Sequence, residues 1–98
     1  MKTNELTGAA LDWAVAKCEK NWAFEPDGCD SYSTDWQLGG PIIERGRIEL
    51  EHDGFQWWAR IRADEDYSGP APLVAAMRCY VASVLGDEVE VPDELGHT

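Results

Sequence analysis

Basic residues are scarce in this chain. Lysine and arginine make up 8 of its 98 residues, against 19 aspartates and glutamates, and the formal net charge is −11. Proteins that bind duplex nucleic acid neutralise its phosphates with lysine and arginine, so this composition argues against duplex binding. It leaves open a basic protein partner reached by electrostatic steering, a small ligand in a local pocket, or acidity that only provides solubility.

Long apolar runs and paired cysteines are lacking too. No run approaches the roughly 20 residues of a membrane-spanning helix. The Met1–Glu5 segment carries an acid early and leads straight into a patterned helix, so it does not resemble a signal peptide. Cys18, Cys29 and Cys79 are an odd set without metal-ligand or redox spacing, which favours structural or incidental thiols. These absences predict a cytoplasmic protein with no membrane association.

Catalytic motifs are missing as well. The chain has no GxSxG, HExxH or P-loop pattern and no Cys/His pair at catalytic spacing. Two clusters of acidic residues could hold a cation: Asp27, Asp30 and Asp35 form one, and residues 64–66 form the other. Neither cluster has the spacing of a calcium loop. Solvated acidic loops are the simpler interpretation. We expect a protein that is not an enzyme, uses no cofactor or metal, and acts by binding.

The apolar residues that are present predict one folded domain. The chain is 44% hydrophobic with five tryptophans, enough for a single core. Helical periodicity starts after Thr7, a predicted N-cap, and continues through Cys18 to Trp22, with Lys17 and Lys20 in the last turn. A second helix follows the 68–72 segment, whose prolines suit a first turn, and ends at Gly86.

The clearest strand pattern lies between these helices, over residues 47–62. Apolar and charged residues alternate on both sides of Asp53-Gly54, a dipeptide typical of tight two-residue hairpin turns. This register places Leu50 opposite Trp57 on the core face, with Phe55 in the returning strand. The opposite face then carries Glu49, Glu51, Trp58, Arg60 and Arg62.

A hairpin alone is only marginally stable, so the pattern requires further cover. Residues 41–44 are a candidate third strand, and Val89 with Val91 could add a short edge strand. The sequence therefore predicts an α+β fold: two helices packed on a small antiparallel β-sheet that contains the 47–62 hairpin.

The best candidate for a binding segment lies before the hairpin. Residues 21–40 show no clear period and read as an irregular loop with ordered aromatic rings. Such a loop can bring backbone N–H groups to a ligand while a ring stacks on a base or sugar. The alternative is a structural loop whose Trp36 fills the core. The candidate ligand-binding residues here are Tyr32, Ser33, Thr34, Asp35, Trp36, Gly39, Gly40 and Pro41.

Three other side chains could contribute to binding. Trp58 is predicted to point away from the core beside Arg60, where it could stack on a ligand whose phosphate an arginine holds, or be covered by a helix or a second subunit. Arg78, at the flank of the second helix's apolar stripe, could be a fixed guanidinium for an anion. It could equally pair with an acid of its own chain.

Three separated blocks of the sequence resemble a known family. They are ELTGAALDWAVAKCE (5–19), YSTDWQLGGPIIER (32–45) and GPAPLVAAMRCYVASVLGDEVEVP (69–92), and they are similar, in order, to the NinX-like family of tailed-bacteriophage and prophage proteins of unknown function. The resemblance covers nearly the whole chain as a single 1–98 domain. It implies a phage accessory protein in the cytoplasm of the bacterial host, and brings no assigned catalytic residues.

These observations lead to two expectations of function. The first is a non-catalytic counter-defence protein, a homo-oligomer that sequesters a small nucleotide-like signal. In it the 32–41 segment provides stacking and backbone contacts, and Arg78, or Arg60 with Arg62, neutralises phosphate. The second is an acidic inhibitor or adaptor that engages a basic surface of a host protein through residues 64–66 and 87–94, with Trp58 as an anchor.

Overall fold

A computed structural model of the chain describes residues 2–19, 31–61, 66–86 and 88–90. A short 3-10 helix, Thr3–Glu5, leads into α1 (Gly8–Cys18) and α2 (Trp36–Gly46). The strands β1 (Glu49–His52), β2 (Trp57–Arg60) and β3 (Asp66–Gly69) follow, and α3 (Pro72–Leu85) completes the order. This architecture confirms the predicted α+β class, although the described residues form three α-helices in place of the two that were expected.

The sheet is an antiparallel meander with β2 in its centre. Leu50 pairs with Ala59 and His52 with Trp57, so the predicted register, with Leu50 opposite Trp57, is wrong by two residues. A shift of two preserves the faces of a strand, which is why the predicted outer set of Glu49, Glu51, Trp58 and Arg60 still shares one face.

The hairpin turn explains the register difference. Its connection spans residues 53–56, longer than the predicted two-residue turn, because the Asp53 carboxylate accepts hydrogen bonds from the backbone N–H groups of Phe55 (2.8 Å) and Gln56 (2.9 Å). Side-chain capping of this kind is a common alternative to a tight turn for aspartate. Phe55 consequently lies at the tip and is 92% exposed, so its predicted place in the core face is wrong.

Helix α3 is the central element of the core. It packs against all three strands and against α1, α2 and the 3-10 helix. Its start at Pro72, in the first helical position, and its end at Gly86 (φ +91°) confirm the predicted bounds. Burial of its apolar side chains supplies the main driving force for folding; those buried are Leu73, Val74, Ala75, Ala76, Met77, Cys79 and Val81.

The third strand comes from an unexpected part of the chain. Residues 41–44, the predicted candidate, are helical and belong to α2, whereas Asp66–Gly69 pairs with β2. Gly69 permits this strand to run directly into α3, since a Cβ there would lie 2.8 Å from the backbone nitrogen of Ala75. At the C-terminal side, Glu88 forms an isolated antiparallel bridge with Lys2; Val91 lies outside the described residues.

Polar contacts join the three helices at one end. The Glu19 carboxylate, next to the end of α1, accepts hydrogen bonds from Arg45 of α2 (2.7 Å) and from the Tyr80 hydroxyl of α3. Cys18 beside it is buried, and burial raises the pKa of its thiol to about 12. In the described ranges, no helix has the length and apolar character needed to cross a membrane.

Candidate functional site

The chain reaches α2 through a turn that α1 holds in place. The backbone N–H of Ser33 donates a 2.8 Å hydrogen bond to the Asp12 carboxylate, and both residues are buried, as is Tyr32. Burial raises the pKa of Asp12, while its hydrogen bonds to Ser33 oppose that shift. The turn before α2 is therefore anchored to the core across 21 residues of sequence separation.

The first turn of α2 presents an exposed aromatic ring. Asp35 is the N-cap, and its carboxylate accepts a 2.9 Å hydrogen bond from the backbone N–H of Gln37. Trp36 follows as the first helical residue and is 54% exposed. Because the residues on its N-terminal side are capped and anchored, the backbone that carries this indole is fixed. The alternative in which Trp36 fills the core does not match its exposure.

Two neighbouring glycines of α2 have different surroundings. A Cβ on Gly39 would lie 2.5 Å from Leu73 Cδ2 and 2.8 Å from the Tyr32 carbonyl oxygen, so the close approach of α2 to α3 requires glycine there. A Cβ on Gly40 would meet only the Trp36 ring, at 3.9 Å, an ordinary contact. Gly40 thus leaves the helix backbone uncovered beside the Trp36 indole.

Pro41 interrupts the helix on the same side. Proline has no N–H, so the carbonyl of Gln37 cannot receive the usual hydrogen bond from four residues ahead. Gln37, Pro41 and Trp36 are all exposed. Gly40 eases the clash that a proline ring makes with the preceding residue in helical conformation. The result is a backbone acceptor without its helical partner, next to an exposed ring.

We call this surface the α2 platform and define it as Trp36, Gln37, Gly40 and Pro41. With about 3.6 residues per turn, these positions share the solvent side of the helix. Chemically, the α2 platform offers a flat π-face for stacking and a carbonyl oxygen that can accept a hydrogen bond from an N–H group of the stacked molecule.

Trp58 and Arg60 lie elsewhere, on the face of the sheet that is directed away from α3. The Trp58 indole N–H donates a 2.7 Å hydrogen bond to Asp53. The Arg60 guanidinium contacts Asp66 at 2.8 Å and Glu51 at 3.2 Å. Since α2 packs against α3, the structure does not join these residues to the α2 platform in one pocket.

Arg78 binds its own backbone. Its Nε donates to the Leu6 carbonyl and its Nη1 to the Ser68 carbonyl, both at 2.7 Å, and desolvation lowers the pKa of the guanidinium. The side chain joins the N-terminal segment to β3, one of the two outer strands of the described sheet. Neither expectation, a ligand anion or an acid of its own chain, describes these contacts. A role of Arg78 in ligand binding stays a prediction.

Three residues of the α2 platform, Trp36, Gly40 and Pro41, are among the candidates predicted from the sequence. The 32–41 segment does form one connected unit, with Tyr32 and Ser33 inside the protein and Thr34 at its surface. The helix over Trp36–Gly46 was not expected. Asp12 and Gln37 were missed. The available signal for Asp12 was an aspartate inside the apolar stripe of α1, and for Gln37 it was the position four residues before Pro41.

Some residues named in the sequence analysis lie outside the described residues; they are Asp27, Asp30, Arg62, Asp64, Glu65 and most of 87–94. Over the ranges 2–19, 31–61, 66–86 and 88–90, no group of histidine, cysteine, aspartate and glutamate side chains is arranged to hold a metal ion. A cavity of about 380 Å³ between the N-terminal segment and β3 is lined by Lys2, Asn4, Tyr67 and Glu88, none of which was predicted.

Comparison with known proteins agrees with the sequence resemblance. No curated protein matches the chain. The family described as "Bacteriophage P22, NinX" matches residues 2–84, which include α1, all of α2, the sheet and nearly all of α3. Since this match covers far more than half of the chain, the protein belongs to the NinX family of bacteriophage proteins.

Proposed function

We propose that this NinX-family protein is a phage accessory binding protein that sequesters a small nucleotide-like signalling molecule in the infected bacterium and so acts in counter-defence, without catalysis. The single observation that carries the proposal is the α2 platform, where an exposed indole lies beside a backbone carbonyl that has lost its helical hydrogen-bond donor. Family membership supports the phage context.

The local sequence of α2 is costly, and this cost favours a functional interpretation. Glycine in a helix interior is less favourable than alanine by about 1 kcal/mol, and proline by about 3 kcal/mol. Packing against Leu73 explains Gly39, but the described contacts give Gly40 and Pro41 no packing role. Local rules are most often broken where a site needs the exception.

The ring and the carbonyl together suit a nucleobase. A base stacked on Trp36 gains about 1–3 kcal/mol by analogy with single-stranded nucleic-acid binding. An exocyclic amino group of the base can donate to the Gln37 carbonyl from the solvent side of the helix, because residue 41 has no N–H to offer that carbonyl. The bare Gly40 backbone allows the base edge to approach.

Charge restricts the ligand further. The protein carries a net charge of −11, Arg60 is surrounded by carboxylates, and Arg78 is engaged with backbone carbonyls. A ligand with several phosphates would therefore meet repulsion that neither of these two arginines is free to offset. We infer that base stacking dominates recognition and that the ligand bears few negative charges.

Native mass spectrometry tests the proposal. The protein is purified from bacteria with active nucleotide-based defence systems and compared with Trp36→Ala, with Trp58→Ala as a matched control on the opposite side of the sheet. We expect a stoichiometric added mass of a few hundred daltons in the unchanged protein and in Trp58→Ala, and none in Trp36→Ala. Because Trp36 is exposed, its loss should leave folding intact.

Two results would contradict this function. A bare protein under every condition would remove the small-molecule role. An added mass that persists in Trp36→Ala and disappears in Trp58→Ala would place the ligand on the sheet instead. The same spectra report the oligomeric state, which we propose to be a homo-oligomer.

A further inference from the structure

The sheet has one face that no described element covers. We call it the outer sheet face and define it as Glu49, Glu51, Trp58, Arg60, Asp66 and Ser68, the residues directed away from α3. Trp58 and Arg60 remain partly exposed although they belong to the central strand. Over the described ranges, α3 and the 3-10 helix are the helical elements that pack on these strands, and α3 lies on the other side.

The outer sheet face has an excess of negative charge. Arg60 is its only basic residue, and it is shared by Asp66 (2.8 Å), Glu51 (3.2 Å) and Glu49 (4.0 Å). Three carboxylates against one guanidinium leave two negative charges on the face. Asp53 adds a further carboxylate at the end of the hairpin, where it accepts the indole N–H of Trp58.

Two aromatic rings border this charge. The hydrogen bond to Asp53 at 2.7 Å fixes the Trp58 indole at one orientation, and Phe55 at the hairpin tip is 92% exposed. A fixed tryptophan among carboxylates suits an arginine, whose guanidinium can stack on the ring while it pairs with an acid. The exposed Phe55 can cover the alkyl part of a lysine or arginine.

The edge of the sheet gives the shape of the partner. Strand β1 is an edge strand, unpaired on its outer side within the described part of the chain. An open cavity of about 480 Å³ lies beside it, lined by Glu49, Leu50, Glu51 and Arg60. An extended segment could follow this edge. A second copy of the same face is a poor occupant, because two surfaces with the same excess charge repel.

We propose that the outer sheet face binds an extended, arginine- and lysine-rich segment of another protein, with Trp58 and Phe55 against its side-chain stems and the carboxylates against its cationic ends. This interaction goes beyond the proposed small-molecule function and uses a different side of the molecule. It is independent of whether the α2 platform binds a ligand.

The test uses a defined probe, a ten-residue peptide of alternating arginine and alanine, with a peptide of alternating glutamate and alanine as control. Binding is measured by isothermal titration calorimetry at about 0.15 M salt, where exposed charges separated by more than about 8 Å are largely screened. Backbone NMR shifts map the site. We expect the basic peptide to bind and the acidic peptide not to bind, with the chemical-shift changes concentrated in residues 49–60.

Matched variants separate this site from general attraction to an acidic protein. Glu51→Gln and Glu44→Gln remove the same charge, but Glu44 is exposed on α2, so only Glu51→Gln should weaken binding, about threefold. Phe55→Ser, at a position too exposed to affect folding, should weaken it severalfold, and Trp58→Ala at least tenfold. Trp36→Ala should leave it unchanged.

Three outcomes would overturn the proposal. Absence of binding by the basic peptide is the first. Equal weakening by Glu51→Gln and Glu44→Gln would mean that net charge alone attracts the peptide. Concentration-dependent self-association that disappears in Trp58→Ala would assign the outer sheet face to a second copy of the chain.

Discussion

Replacing Pro41 with alanine should stabilise the protein. Alanine restores the backbone N–H that can donate to the Gln37 carbonyl and removes the ring clash in α2. An interior proline costs a helix about 3 kcal/mol relative to alanine. Part of that gain is lost because proline also restricts the unfolded chain, by about 0.4–1 kcal/mol. The expected net gain in the free energy of unfolding is about 2 kcal/mol.

Thermal and urea unfolding measure this gain directly. For a domain of this size, about 1 kcal/mol corresponds to roughly 4–8 °C in Tm, so Pro41→Ala should raise the Tm by about 8–16 °C. The urea midpoint should rise without a change in slope. The same variant should weaken ligand binding, because the Gln37 carbonyl then has a helical donor.

A neutral or destabilising Pro41→Ala would refute the reasoning. It would mean that the proline ring makes stabilising contacts, and that the Gln37 carbonyl is not an unsatisfied acceptor. Stabilisation without any loss of ligand binding would separate the two claims: the helix argument would stand, and the carbonyl would have no part in recognition.

Further variants test the contacts around the site. Gly39→Ala should lower the free energy of unfolding by about 1–3 kcal/mol in urea melts, because its Cβ would overlap Leu73 and the Tyr32 carbonyl; an unchanged midpoint would contradict the close helix packing. Asp12→Ala should cost about 1–3 kcal/mol by leaving the buried Ser33 N–H unpaired, whereas Asp12→Asn should lose much less, and equal losses would argue against the hydrogen bond. Arg78→Ala should cost about 2 kcal/mol or more by removing the donor to two partly buried carbonyls; a loss of ligand binding in a fully stable Arg78→Ala would show a binding role instead. The hydrogen bond from the Trp58 indole N–H is the main cause that lowers the pKa of Asp53 from 3.8 to about 2. The ionised Asp53 carboxylate therefore contributes stability that is complete above about pH 4 and is lost as the pH falls through about 2. Trp58→Phe should return this pKa toward its ordinary value in a carboxyl NMR titration, and an unchanged pKa would refute the assignment.

The sequence predicted the elements whose signals are local and periodic. The helices at α1 and α3 and the alternation around Trp57 and Trp58 have regular spacing, so their existence and faces were correct. Alternation also tolerates a two-residue error in register, which is why the outer face of the sheet was right although its pairing was wrong.

Helix α2 could not be predicted because its local propensities oppose it. A segment with Gly39, Gly40 and Pro41 reads as a loop, and only burial of Ile42 and Gly39 against the core, with Asp35 as a cap, makes it helical. The prediction of a two-residue hairpin turn was wrong for a related reason, because the Asp53 side chain competes with the backbone pairing that Asp-Gly usually adopts. Contacts of Arg78 with backbone carbonyls distant in sequence leave no local signal.

The most direct test of the central claim is the indole N–H spectrum of the protein, in which each tryptophan gives its own NMR signal. The spectrum is recorded with and without the small-molecule fraction of bacteria whose nucleotide-based defence is active. If a base stacks on the α2 platform, the Trp36 indole signal moves by the ring-current effect, while that of Trp58 stays in place. If the Trp36 indole signal stays unchanged in the presence of this fraction, or if only the Trp58 signal moves, the account is contradicted.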